Sequence, residues 1–337
     1  MYSDDDLDSA VAAGVLDAET ARRFRAFASQ SRAASGADEE QFRLLTGFND
    51  IFVAIAAALL LGALGWLVGE TSFSLGGAAV AAASWALAEY FTRRRRMALP
   101  SLLLLLTFVG GVFATAFFLF GADGTAISAA LVAIAAFLHW RRFKVPITVA
   151  AGVAAAIAAA LALLFFNVPQ AINLLEPVLL VSGLAVFALA LGWDMSDRSR
   201  TTRRSDVAFW LHLSAAPLIV HPIFQMLGLT RGSFFAPQDS SPSQAGFAAG
   251  LVLAIYLALA LVALAIDRRA LLVSGLSYVL YATSGLLRAV GSLSESLALT
   301  ALAIGAALLL LSAYWRPARK IIVGWLPATV RMRLPVA

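Results

Sequence analysis

Long apolar runs separated by short charged joints organise most of this chain. The runs cover residues 51–68, 75–91, 98–120, 126–140, 145–166, 177–193, 207–229, 245–266, 270–290 and 296–315. Nine of them are 17–23 residues long, the length at which a helix crosses hydrocarbon. The fourth, at 15 residues, is short and turns tightly into the fifth. Strands of that length are excluded, and a spanning segment must satisfy its own backbone, which a helix does. The pattern predicts an all-α, polytopic membrane bundle of ten transmembrane helices.

Charge tests that count. When the joints are assigned alternately to two sides, all but Arg231 and Arg288 of the 25 Lys and Arg residues fall on the side of the N-terminus. A missed or spurious span would scramble this asymmetry. The positive-inside rule then predicts that both termini are cytoplasmic, in a bacterial inner membrane. Trp140, Trp193, Trp315, Tyr90 and Tyr314 fall at the same helix ends, where amphipathic rings sit beside headgroups. The recurring unit of span, aromatic, arginine cluster and returning span has two readings: a tandem repeat, or the charge and belt rules acting on any even-numbered bundle.

Three regions follow: residues 1–48 as a cytoplasmic N-terminal helical hairpin, 49–316 as the bundle, and 317–337 as a basic interfacial tail. In the hairpin, Gly14 is a helix stop, Asp17 an N-cap, and Ala21, Phe24 and Phe27 an apolar edge. So small a unit cannot bury its own core, and is expected to dock on the bundle, a protein partner or another copy of itself. The polar start "MYSDDDLDSA" has no signal-peptide pattern. The tail mixes cations with Ile321, Ile322, Trp325 and Leu326, and reads either as an interfacial helix or as a frayed basic end. The stretch "AVAAGVLDAETARRFRAF", followed by "GFNDIFVAIAAALLLGALGW", resembles the opening of a family of bacterial polytopic membrane proteins of unknown function. In that family a short helical hairpin precedes a long run of spans. The resemblance covers about the first 70 residues and implies the architecture; it supplies no functional residues.

Two of the three histidines lie in the seventh run, "DVAFWLHLSAAPLIVHPIF". His221 is nine residues beyond His212, about 13.5 Å along a helix and half a turn round, so the two cannot share a metal on their own helix. Pro217 and Pro222 remove the hydrogen bonds to the carbonyls of Leu213 and Leu218. The surviving readings are a proton-responsive pair at two depths, freed carbonyls lining a cavity, or histidines that simply bond to neighbouring helices. His221, deeper in the bilayer, is the stronger functional candidate.

The ninth run carries Ser274, Ser277, Tyr281, Ser284 and Arg288 at alternating spacings of three and four, one face of a helix. Such a face belongs in the bundle interior, as a solute or ion path with Arg288 contacting an anion, or as interhelical glue. Elsewhere, Asp50 reads as a surface helix cap, Glu89 pairs locally with Arg93, and Gly65–Gly69 and Gly246–Gly250 read as helix-packing pairs.

Composition narrows the chemistry further. The chain is 61% hydrophobic and 13% charged, far from a soluble domain. It has no cysteine, which removes disulfides, thiolate metal sites and thiol nucleophiles. No phosphate-cradling loop or HExxH pair occurs. Neither a cofactor nor a metal is expected, nor an enzymatic role. The net charge of +5 is spread over joints rather than gathered on a folded module, which argues against nucleic acid. The expected partners are the lipid bilayer and a small solute or ion. The expected function is a secondary transporter, with a non-transporting scaffold or sensor acting through the hairpin as the alternative.

Overall fold

The computed structural model describes residues 7, 10–26, 48–198, 200, 202–227, 242–269, 271–272, 276, 302, 305–331 and 334. All regular structure among them is helical. The elements are α1 (Phe48–Gly69), α2 (Phe73–Ala88), α3 (Ala98–Phe120), α4 (Thr125–Phe143), α5 (Ile147–Asn167), α6 (Leu175–Ser196), α7 (Arg203–Met226), α8 (Pro242–Ile266), α9 (Trp315–Trp325) and α10 (Ala328–Arg331). Six helices among the described residues are long and apolar enough to cross a membrane. The fourth run is longer than its apolar pattern: α4 continues through Arg141 and Arg142, cations that suit a helix C-terminus.

The surface of the bundle is itself apolar. Leu59 is 70% exposed, Trp66 74% and Phe166 64%, with many other large apolar side chains also exposed along α1, α3, α4 and α5. A soluble monomer does not present such a belt; lipid tails are the solvent that matches it. The interior is built from small residues. Alanines of α5, α6 and α7 pack with Val186, Val207 and Leu211 in one cluster, and α8 and α9 close a second around Trp315.

Glycines set the closest crossings. A Cβ on Gly77 of α2 would lie 2.8 Å from the Gly111 carbonyl of α3, and one on Gly76 would lie 2.9 Å from the Gly69 backbone of α1. The Gly65–Gly69 pair is thus a packing seam. Among the described residues nothing lies within 4 Å of a Cβ on Gly250, so none of them seats against the Gly246–Gly250 pair at that position. On α6, a Cβ on Gly183 would lie 2.8 Å from the Leu218 carbonyl of α7. That carbonyl is the one Pro222 deprives of its amide partner. It meets the α6 backbone at close range. Helix α7 continues through both prolines.

One end of the bundle gathers the joints after α2, α4, α6 and α8, and is called the basic end here. A π-helical turn at Glu89–Arg94 finishes α2. Glu89 there meets Arg93 at 3.3 Å, as its spacing predicts, and also Arg142 of α4 at 2.6 and 2.9 Å. Asp50, in the first turn of α1, is buried rather than a surface cap. Each basic-end joint contains one residue in the left-handed backbone region: Arg96 (φ 55°), Lys144 (56°), Arg200 (54°) and Asp267 (58°). These are the only such non-glycine residues among those described. At the opposite end the α3–α4 joint uses Gly121 at φ 70°. Left-handed geometry costs a residue with a Cβ on the order of 1 kcal/mol more than glycine. Charged side chains therefore occupy four positions where the backbone alone favours glycine.

Candidate functional site: a buried ion cluster at the basic end

Residues 194–198, 202–212 and 263–268 converge because three helix ends meet. Asp194 is in the last turn of α6, His212 in the third turn of α7, and Arg268 follows α8. Helix α8 ends in a Schellman turn: the Asp267 amide donates to the Leu264 carbonyl at 3.3 Å and the Arg268 amide to Ala263 at 2.9 Å. With Asp267 in the left-handed position, the turn delivers Arg268 into the interior, where it is 1% exposed.

Arg268 closes a fork on Asp194. Its Nη2 donates to Oδ1 of Asp194 and its Nε to Oδ2 at 3.3 Å. Nη2 also donates to the Ser205 carbonyl of α7 at 3.1 Å. His212, fully buried, sets Nε2 2.8 Å from the Asp194 Oδ2. One carboxylate thus joins α6, α7 and the end of α8. The imidazole packs edge-on against Phe187, and its Nδ1 is buried without a hydrogen-bond partner.

A second carboxylate extends the cluster. Asp267 accepts from Arg200 Nη1 at 2.8 Å and from the Trp315 indole of α9 at 2.7 Å, with Arg319 Nε at 3.8 Å. Arg200 Nη2 also donates to the carbonyls of Ile266 and Asp267, both at 3.0 Å, capping α8. Burial, then the like charge of Arg268, lowers the proton affinity of Arg200, against the pull of Asp267. Arg269 lies over the Trp315 ring at 4.9 Å. Asp197 accepts from the Thr202 amide at 2.9 Å and its hydroxyl at 2.6 Å, and Thr202 in turn caps α7.

Three buried carboxylates (Asp194, Asp197, Asp267) are thus gathered with two buried guanidiniums (Arg268, Arg319) and the partly exposed Arg200, equal in formal charge. His212 is the neutral member able to gain a charge. Burying an ion pair is costly unless its geometry and further hydrogen bonds are good, and this pair has both. Among the described residues no three His, Asp or Glu side chains gather as a metal site. Arg268 already occupies the Asp194 face that a metal would need.

The sequence points to other residues. His221 is exposed, with its Nε2 3.4 Å from the Gln225 amide nitrogen. Ser274, Ser277, Tyr281, Ser284 and Arg288 lie outside the described residues. His139, at the basic end of α4, is fully buried 3.3 Å from the Thr148 hydroxyl, among Trp85, Phe108 and Phe143. Arg268 reads in the sequence as an interfacial cation and is instead buried; Asp194 reads as the edge of a joint. The C-terminal segment is helical over Trp315–Trp325 and docks through Trp315, so this part is not a frayed end.

A second feature adjoins the cluster. A cavity of about 270 Å³ opens where α3, α5 and α7 begin, lined in part by Arg96, Lys144, Arg203, Asp206 and Trp210. No protein-family model, curated protein or solved structure matches this chain.

Proposed function

We propose that this chain is a ten-span protein of a bacterial inner membrane, with both termini cytoplasmic, and that it moves a small solute as a secondary transporter rather than acting as an enzyme. The apolar helices support the membrane placement, and the gathering of basic joints at one end supports that end as the cytoplasmic one. The single observation that carries transport is the Asp194–His212–Arg268 cluster, because ionisable groups are costly to keep inside a membrane bundle.

The cluster has two proton states. With His212 neutral, Arg268 owns the Asp194 charge and ties the end of α8 to α6. A proton taken at His212 Nδ1 makes the ring a cation facing Asp194, with Arg268 and Arg200 as the neighbouring like charges. His212 then competes with Arg268 for one carboxylate, and the tie to α8 weakens. Proton binding is thereby linked to the packing of α6, α7 and α8, which a proton-coupled carrier requires.

Purified protein in liposomes with an interior pH dye tests this. Across a panel of organic acids, amino acids and sugars, one class should drive proton movement, and Asp194→Asn should abolish it. Absence of solute-driven proton movement across the panel would sink the transport reading.

A scaffold or sensor acting through the hairpin is the second reading. Gly14 turns the chain at φ 71° and Asp17 caps the helix at 18–26, yet Val15 and Phe24 remain exposed at 77% and 47%. Deleting residues 1–46 should then remove the protein's cellular effect while leaving any flux intact.

A further inference from the structure

The cavity between the starts of α3, α5 and α7 is cationic from three independent joints. Arg96 precedes α3, Lys144 precedes α5 and Arg203 opens α7. Asp206 is the one carboxylate among the described lining residues, which together carry a net charge of +2. No ion pair among the described residues neutralises Arg96, Lys144 or Arg203.

Two further features favour an anion there. Neither α3 nor α5 has a side-chain cap, and residues of both first turns line the cavity, so the positive ends of two helix dipoles lie beside it. Ser101, placed to help, turns its hydroxyl back to the Met97 carbonyl. Arg96 and Lys144 hold left-handed backbones that glycine would adopt more cheaply, so their cations are retained at a conformational cost. At about 270 Å³ the space suits a headgroup-sized ligand, near the lower end of ordinary ligand pockets.

We propose that this cavity binds a phosphate group, supplied by the headgroup of an acidic phospholipid or by a free phosphate species. The guanidiniums of Arg96 and Arg203 grip its oxygens, Lys144 adds a point charge, and the starts of α3 and α5 add the positive ends of their dipoles. Trp210 forms part of the wall. The site is independent of the transport reading and requires only that the basic end face a phosphate-bearing surface or solution.

The test is native mass spectrometry and thermal unfolding of the full chain, titrated with phosphatidylglycerol in neutral detergent or with inorganic phosphate. Retention of the lipid alone identifies the headgroup source; displacement of lipid by phosphate identifies the free anion as a ligand as well. Both outcomes support the site. Arg96→Gly with Lys144→Gly keeps the left-handed joints and removes two cations, and should weaken binding by at least about tenfold. Arg94→Gln, on the same joint but outside the cavity, should leave binding unchanged. Arg203→Gln gives an independent reading if the glycine pair disturbs folding. Binding that is equal in all variants, or lost equally in Arg94→Gln, overturns the proposal, as does failure of both ligands to bind the natural chain.

Discussion

Removing the Asp194 charge is the sharpest test of the buried cluster. In Asp194→Leu, Arg268 remains 1% exposed, with the Ser205 carbonyl as its other acceptor. Leaving one member of a buried pair uncompensated costs about 3–5 kcal/mol, a large part of a total stability of about 5–15 kcal/mol. Arg268→Met should cost a similar amount, because it strands the carboxylate with His212. The double variant Asp194→Leu/Arg268→Met removes both charges. It leaves only the Ser205 carbonyl and the His212 ring with lost partners, about 1–3 kcal/mol each at most. The singles should therefore sum to several kcal/mol more than the double. Unfolding of the purified chain in mixed micelles, followed by circular dichroism, measures all four corners of the cycle. Additivity within about 0.5 kcal/mol would refute the argument, since it would mean that the two side chains do not share one interaction.

Three further outcomes follow from particular contacts. Gly183→Ala drives a Cβ into the Leu218 carbonyl and should lower stability by about 1–3 kcal/mol, while Gly192→Ala on the same helix meets nothing within 4 Å and should raise it by up to about 1 kcal/mol in the same unfolding assay. Asp267→Gly relaxes a left-handed backbone yet strands Arg200 and Arg319, so it should destabilise the chain by a net of about 2 kcal/mol or more, with a shift in Trp315 emission; a stabilised variant would show that the carboxylate is dispensable. The Thr20 hydroxyl and amide hold the Asp17 carboxyl below its ordinary value, so its capping contribution is present above the ordinary carboxylate pKa and is lost as pH falls through the lowered one; backbone carbon shifts of residues 18–26 should report that loss, and Asp17→Ala should abolish the pH dependence.

The helices were legible because length and apolarity are local properties. The run at 98–120 is α3 to the residue, and the Asp17 cap, the Gly14 turn and the Glu89–Arg93 pair follow from spacings within one turn. The cluster was not legible, because its members are far apart in sequence. Arg268 is 74 residues from Asp194, and nothing in "AIDRRALL" separates a buried arginine from the interfacial one beside it. His212 stood out only as a histidine in an apolar run, and the larger penalty expected at depth favoured His221, which α7 turns to the surface. The left-handed joints were equally silent: glycine would have announced them, and charged residues occupy them instead.

The central claim is that the four left-handed joints and the ion cluster lie together on the cytoplasmic side of a membrane bundle. The absence of cysteine makes single-cysteine labelling clean. Asp123→Cys and Ile172→Cys lie in joints at one end, and Arg94→Cys and Arg198→Cys in joints at the other; all four positions are exposed. In intact cells a membrane-impermeant maleimide should label positions 123 and 172, and should reach 94 and 198 only after the inner membrane is permeabilised. Labelling of 94 and 198 in intact cells, or equal labelling at both ends, would contradict the account.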